Sequence, residues 1–311
     1  MKPVRTTVAG MAIAVVLAGS AWSETLTIGV SLETPSIDPY FYAFKNSYQV
    51  ARQIFDPLVS QDAKQKYIPG LAESWKNIDD KTWQFNLRKG VKWHDGSPFT
   101  ADDVMYSVER AKGGIPGSPT TPSRMFLSGG KTYKKIDDYT VTIRQSAPNQ
   151  LFLPVLTIFA SNILDKETME DHATADDKWS HTYNNNEDAP GFGPWCLSQW
   201  RKGEEMRVRA NPDYYRGKAA FDGVIIRKVP QSSNRAVILR SGQAHIVERL
   251  TPKEYDNLKR AANVKVLGTF GNENLFLHLN FNVKPFDDVR VRRAIAHAIP
   301  YDRVIQTGYF G

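Results

Sequence analysis

The chain has 311 residues, 41% hydrophobic and 23% charged, with a formal net charge of +7. That length can bury a substantial core in more than one domain, and the ordinary composition excludes a disordered or fibrous chain. The basic excess contains no long Lys/Arg run, which argues against nucleic acid, and the lone Cys196 excludes an internal disulfide or a cysteine metal cluster.

Lys2 and Arg5 precede an apolar stretch at residues 8–18, and Ala21-Trp22-Ser23 offers small residues for cleavage before Glu24. This reads as a signal peptide over residues 1–23, because the apolar run is too short to span a bilayer. Its removal leaves 38 basic against 33 acidic residues, a charge of +5.

Residues 25–30 predict a short strand, followed by a loop at 31–34. Residues 46–58 predict a helix with Val50, Ile54 and Leu58 on one face. The aromatic cluster Tyr40, Phe41, Tyr42, Phe44 and Tyr48 is expected mainly in the core, with a ligand groove as the other use. Trp83, Phe85 and Leu87 alternate with polar residues as in a half-buried strand, and Val91 and Trp93 repeat the alternation after the Lys89-Gly90 turn. Thr100 predicts an N-cap, Asp102 and Asp103 suit the first helical turn, and Val104, Val108 and Ala111 follow at helical spacing.

Residues 111–130 read as a long loop and 136–144 as a hairpin. Residues 151–163, apolar but interrupted by Pro154, read as a buried segment, and 171–188 as a polar surface connection. A strand at 206–210 is followed by a β-α-β-α-β alternation. Its strands are expected at 224–229, 245–247 and 264–267. One helix is capped by Ser232 or Ser233 and closed by Gly242; the other opens on Thr251-Pro252-Lys253-Glu254, a capping box with proline at the first helical position. Such alternation predicts a parallel or mixed sheet with covering helices. The last predicted helix carries Val291, Ile295 and Ala298.

Several of these stretches together resemble family 5 extracellular solute-binding proteins, the dipeptide and oligopeptide receptors of ABC importers. The matching residues are Pro69-Gly70-Leu71-Ala72-Glu73-Ser74-Trp75, Leu87-Arg88-Lys89-Gly90-Val91-Lys92-Trp93, Asp95-Gly96-Ser97-Pro98-Phe99-Thr100-Ala101, Asp103-Val104 and Ser107-Val108-Glu109-Arg110. Gly191-Phe192-Gly193-Pro194-Trp195 resembles the family's Gly-Thr-Gly-Pro-aromatic motif, with Phe192 in place of a small residue. Asn211-Pro212-Asp213-Tyr214-Tyr215 and the segment from Asn280 to Arg292 extend the likeness over nearly all of the mature chain.

The resemblance implies an α/β fold of the periplasmic binding protein type II, three-domain peptide-receptor kind, with mixed sheets and flanking helices. It also implies an N-terminal fragment with lobe I at 24–67 and 188–273, an inserted subdomain at 68–187 and an incomplete lobe II from 274. With no cysteine near the cleavage site, the family's lipid anchor is not expected, and a free monomer in the periplasm is. The implied partners are a small solute, most simply a di- or oligopeptide, and the permease subunits. No cofactor is implied.

Open α/β sheets bind ligands beyond the carboxyl ends of their strands. That rule selects loops 31–34 and 248–250, where Glu33 could meet an amine and Arg249 a carboxylate, or each could form an ordinary ion pair. Thr34 shares the first loop. The resemblance places these positions along the cleft and adds Phe192, Trp195, Asn272 and Asn274 as ligand-binding candidates. It has aspartate where His245 stands, and Asn272, Glu273 and Asn274, near the expected crossover between lobes, are weaker candidates.

Enzymatic readings fare poorly. Gly191 to Cys196 breaks the dinucleotide fingerprint at its sixth position, Met125 stands where a phosphate loop before Gly130-Lys131-Thr132 needs glycine, and the six histidines lack zinc spacing. A periplasmic hydrolase, or a receptor for a nickel complex or an opine, remains the alternative.

Overall fold

The computed structural model describes residues 24–41, 45–115, 127, 129–185, 191–267 and 276–309. The predicted leader, Tyr42, Phe44, most of the 111–130 loop, and the candidates Asn272, Glu273 and Asn274 lie outside them.

In chain order the elements are β1 (Thr25–Val30), α1 (Lys45–Ile54), β2 (Val59–Gln61), β3 (Tyr67–Pro69), β4 (Ala72–Asn77), β5 (Thr82–Leu87), α2 (Ala101–Gly113), β6 (Lys131–Asp137) and β7 (Thr140–Gln145). Then follow α3 (Phe152–Leu156), α4 (Lys166–Asp171), α5 (His181–Asn184), β8 (Trp195–Arg201), β9 (Glu205–Ala210) and β10 (Gly223–Lys228). The last are α6 (Ser232–Arg240), β11 (Ile246–Val247), α7 (Pro252–Lys259), α8 (Val289–Ala298) and α9 (Tyr301–Val304).

Two larger sheets result. A five-stranded sheet has the order β11-β1-β10-β9-β8, with β1 parallel to both neighbours and β8–β10 antiparallel. A four-stranded antiparallel sheet has the order β4-β5-β7-β6. One contiguous core runs from Val50 and Ile54 of α1 through Leu71, Phe85 and Val104 to Ile143, and a smaller cluster of Ala236, Leu250 and Leu258 lies under α6 and α7.

The sequence motifs converge on the carboxyl end of α1. The helix stops at Ile54 rather than running to Leu58, because Pro57 cannot donate to a helix and disfavours helical geometry at Asp56. Its last carbonyl is taken by another motif: Gly193 N–H donates to Ile54 O at 2.8 Å, and a Cβ on Gly191 would overlap that same oxygen. Asn211 Nδ2 donates to Gly193 O at 3.1 Å, and the Tyr214 and Tyr215 hydroxyls donate to Asp56 Oδ2 at 3.1 and 3.0 Å.

His94 completes this knot. Its Nδ1 accepts from Gly191 N–H at 3.2 Å, so its Nε2 carries the proton that faces Gly193 O, also at 3.2 Å. The imidazolium form would lose the first bond. Burial pushes the pKa down to about 4 from 6.5; nearby Arg209 adds to the fall, while the Gly193 bond and Asp95 oppose it. Because the folded value is depressed, the neutral ring's contribution is complete above pH 6.5 and is lost as the pH falls toward about 4. Asp103, pushed up to about 6 by burial, titrates in the opposite sense, so a difference measurement is needed. The unfolding free energy of wild type minus His94→Gln is expected to shrink by at most about 3 kcal/mol between those pH values. A difference that does not change with pH would remove this role from His94.

Other sequence expectations are corrected. Val91 and Trp93 are buried as the alternation predicts, but they lie in a turn closed by a single bridge between Lys92 and Pro98, not in a strand. Residues 264–267 form no strand. The 171–188 connection is not purely superficial: Ser180 and Asn184 are fully buried, and Asn185 Oδ1 accepts from Ser36 Oγ and Ile37 N–H. Gln231, not a serine, stands at the N-cap of α6. The apolar stripe of α8 forms as predicted, yet the helix has no buried residue.

Candidate functional site

β1, β10 and β11 run parallel, so their carboxyl ends and the loops leaving them share one edge of the sheet. The loop after β1 leads to α1, which faces the side bearing Leu26 and Ile28. The loop after β10 leads to α6, which covers the opposite face, where Ile238 and Arg235 pack over Gly29. Adjacent strands whose connections leave to opposite faces open a crevice at that edge.

A cleft of about 590 Å³ lies between α1 and the sheet. Leu26, Ile28 and Ile226 form its apolar floor, Gln49 and Gln53 of α1 one wall, and Trp195 lines it from the start of β8. Thr34 and Glu248 bring polar groups to it from the two crevice loops. Apolar walls with a few convergent polar groups are the usual make-up of a small-molecule pocket.

The structure distributes the predicted residues unevenly. Thr34 and Trp195 line this cleft together. The loop carrying Thr34 is tied to α1, since Asn46 Nδ2 donates to Leu32 O at 3.0 Å. Glu33 is engaged within the fold: Oε1 accepts from Gly203 N–H at 2.7 Å, and Oε2 lies 3.6 Å from Lys228 Nζ. Phe192 is 1% exposed, stacked on Trp93 at 3.6 Å between ring centroids and edge-on to Phe99 at 5.5 Å. Its ring belongs to the core, and the larger side chain at this motif position fills space between two aromatic residues. Arg249 sits at the loop with φ +53°, its Nε 3.9 Å from Glu248 Oε1.

Two residues outside the predicted set complete the edge. Glu248 lines the cleft, and its Oε1 is buried without a hydrogen-bond partner among the described residues. Arg235 reaches from the first turn of α6 to the loop carbonyls. The sequence signal for Arg235 is its place beside Ala236 on the sheet-facing side of a helix, where a cation needs a polar reason to be buried. His245 is also structural, accepting from Thr27 N–H through Nδ1 at 2.9 Å. Among the described residues, no group of three or more His, Cys, Asp or Glu side chains is placed to hold a metal ion, and no helix is long and apolar enough to cross a membrane.

Comparison with known proteins gives a consistent result. The family model for bacterial extracellular solute-binding proteins, family 5 middle, matches residues 66–311. The dipeptide-binding protein of Escherichia coli K12 is 28% identical over 321 residues, covering 96% of this chain and 58% of that protein. The ABC transporter-associated periplasmic binding protein DppA from Helicobacter pylori, solved with peptide STSA, matches with a TM-score of 0.84 at 29% identity, over 92% of this chain and 58% of that one. MoaA from A. tumefacien R10, solved with mannopinic acid, matches with a TM-score of 0.78 at 26% identity, over 92% of this chain and 57% of that one. The chain therefore spans a little over half the length of these relatives.

Proposed function

The chain belongs to the bacterial extracellular solute-binding proteins of family 5, and from that membership we propose that it captures a small peptide in the periplasm and delivers it to an ABC permease. Its fold is that of the type II periplasmic binding proteins of the peptide-receptor kind. The observation that carries the proposal is the cleft of about 590 Å³ beside the parallel strand ends, apolar in its floor and polar where the two crevice loops meet it. In this reading the chain has no catalytic role. Thr34, Trp195, Glu248 and Arg249 form one side of the solute site, and Asn272 and Asn274 are further candidates for solute contact. Glu33 serves that site through the loop it anchors. The two sheets support a division into lobe I at 24–67 and 188–273, with an inserted subdomain at 68–187. Solute bridging two lobes favours the closed form, the form recognised by the permease.

Calorimetric titration tests this with Ala-Ala, Ser-Thr-Ser-Ala and mannopinic acid as probes, alongside an assay for peptide cleavage. Binding of a peptide without cleavage is expected, and Trp195→Ala is expected to weaken it about tenfold through lost aromatic contact. Preference for mannopinic acid moves the solute to the opine class. Peptide turnover by the purified protein overturns the receptor reading.

A further inference from the structure

Arg235 is 2% exposed, and its guanidinium is surrounded by main-chain oxygens. Nε donates to Glu248 O at 3.1 Å, Nη2 to Arg249 O at 2.7 Å, and Nη1 to both Val229 O and Pro230 O, the latter at 2.8 Å. These carbonyls belong to the loops after β10 and β11, strands that lie on opposite sides of β1 and have no ladder between them. One planar fork therefore joins two loops that the sheet itself leaves separate. It passes over Gly29, where a Cβ would lie 3.2 Å from Ile238 and Val247 side-chain atoms and at an ordinary contact distance of 3.9 Å from Arg235 Cγ.

We propose that Arg235 is the positioning residue of the solute site, holding loops 229–231 and 248–250 in the one arrangement that presents Glu248 and Arg249 at the crevice. The proposal rests on the receptor reading above. Arg249 has a left-handed backbone, which a non-glycine residue keeps only where its surroundings enforce it, and the bond from Arg235 to its carbonyl supplies that restraint. The same clamp fixes the peptide group of Glu248, whose side chain lines the cleft. Lysine can substitute only in part, because an ammonium offers no planar array of donors to address carbonyls on both loops.

Four amides report on these loops directly: Val229 N–H donates to Val30 O, Glu248 N–H to Gly29 O, Leu250 N–H to Tyr255 Oη and Thr251 N–H to Ser232 Oγ. Hydrogen exchange and Ser-Thr-Ser-Ala titration are measured on the full chain and on Arg235→Lys and Arg235→Gln. Expected is exchange about tenfold faster at these amides in both variants, with the β5 and β7 amides unchanged, and peptide affinity about tenfold weaker. Arg235→Lys is expected to retain more affinity than Arg235→Gln, since it keeps the charge and part of the hydrogen bonding. Unchanged loop exchange in both variants overturns the proposal. So does acceleration throughout the molecule, which marks a general structural role, and so does loosening of the loops without any loss of affinity. If the wild-type chain does not bind the peptide, the peptide reading fails, and the exchange pattern alone decides whether Arg235 holds the loops.

Discussion

Arg110→Met is expected to destabilise the protein by about 3–5 kcal/mol, because it strands a carboxylate in the core. Arg110 and Asp38 both have fully buried side chains. The pair is bidentate, with Nη1 to Oδ1 at 3.0 Å and Nη2 to Oδ2 at 2.5 Å, and Arg110 Nε donates to Trp179 O at 2.9 Å. Asp38 also accepts from Tyr40 N–H at 2.9 Å and lies 2.8 Å from His181 Nδ1. Burial alone would raise the Asp38 carboxyl, but the Arg110 charge and the bonds from His181 and Arg110 outweigh it and hold the pKa well below 3.8. A depressed folded value means that this stabilisation is present above pH 3.8 and declines as the pH falls below it.

Removing Arg110 deletes the main compensation while the desolvation cost remains. The variant's carboxyl then takes up a proton in the folded state at higher pH than in the wild type. Urea unfolding at neutral and mildly acidic pH measures this: the deficit of Arg110→Met should narrow on acidification, because protonation neutralises the stranded group. Asp38→Asn combined with Arg110→Met should cost less than the two single changes added together, since removing both charges leaves neither unpaired. A loss below about 1 kcal/mol for Arg110→Met, the range of an exposed pair, would show that the network is hydrated rather than closed.

This network also marks where sequence reading stops. Thr100 and Thr251 were legible as helix starts because a capping box is decided within four residues, and both boxes form. The strand ending at Leu87 was legible because alternation reports which face is buried. Asp38 and Arg110 lie 72 positions apart, and Glu33 and Gly203 lie 170 apart. No local rule pairs such residues. Glu33 therefore read either as a contact for an amine or as half of an ion pair with no partner named, and its oxygens face the turn between β8 and β9 and Lys228. The run at 264–267 shows the converse limit. Its β-branched residues have the right propensity, but a strand also needs an edge to pair with, and β11 forms only two paired positions on β1. The crevice itself followed from strand order, yet its clamp did not, because an arginine whose partners are carbonyls leaves no complementary charge in the sequence.

Gly191→Ala is expected to cost about 3 kcal/mol or more, and the reason is space rather than backbone freedom. The added methyl would overlap the Ile54 carbonyl oxygen at the end of α1. That oxygen cannot swing aside, since it accepts from Gly193 N–H at 2.8 Å. Gly191 cannot retreat either: its carbonyl accepts from His94 N–H at 2.8 Å, and its own N–H donates to the His94 ring at 3.2 Å. Relief therefore requires the motif loop to separate from the helix end, releasing His94 and disturbing the stacked Trp93–Phe192 pair behind it.

Gly203→Ala supplies the contrast. That glycine has φ +91° with open space around its missing Cβ, so the substitution incurs only backbone strain of about 1–2 kcal/mol. Chemical denaturation of the two variants separates the causes, and near-ultraviolet circular dichroism should change at Gly191→Ala, where aromatic rings are displaced, but not at Gly203→Ala. Equal losses with unchanged aromatic signals would mean that the motif loop yields without leaving α1, and that the close approach of Gly191 to Ile54 is not what holds the two motifs together.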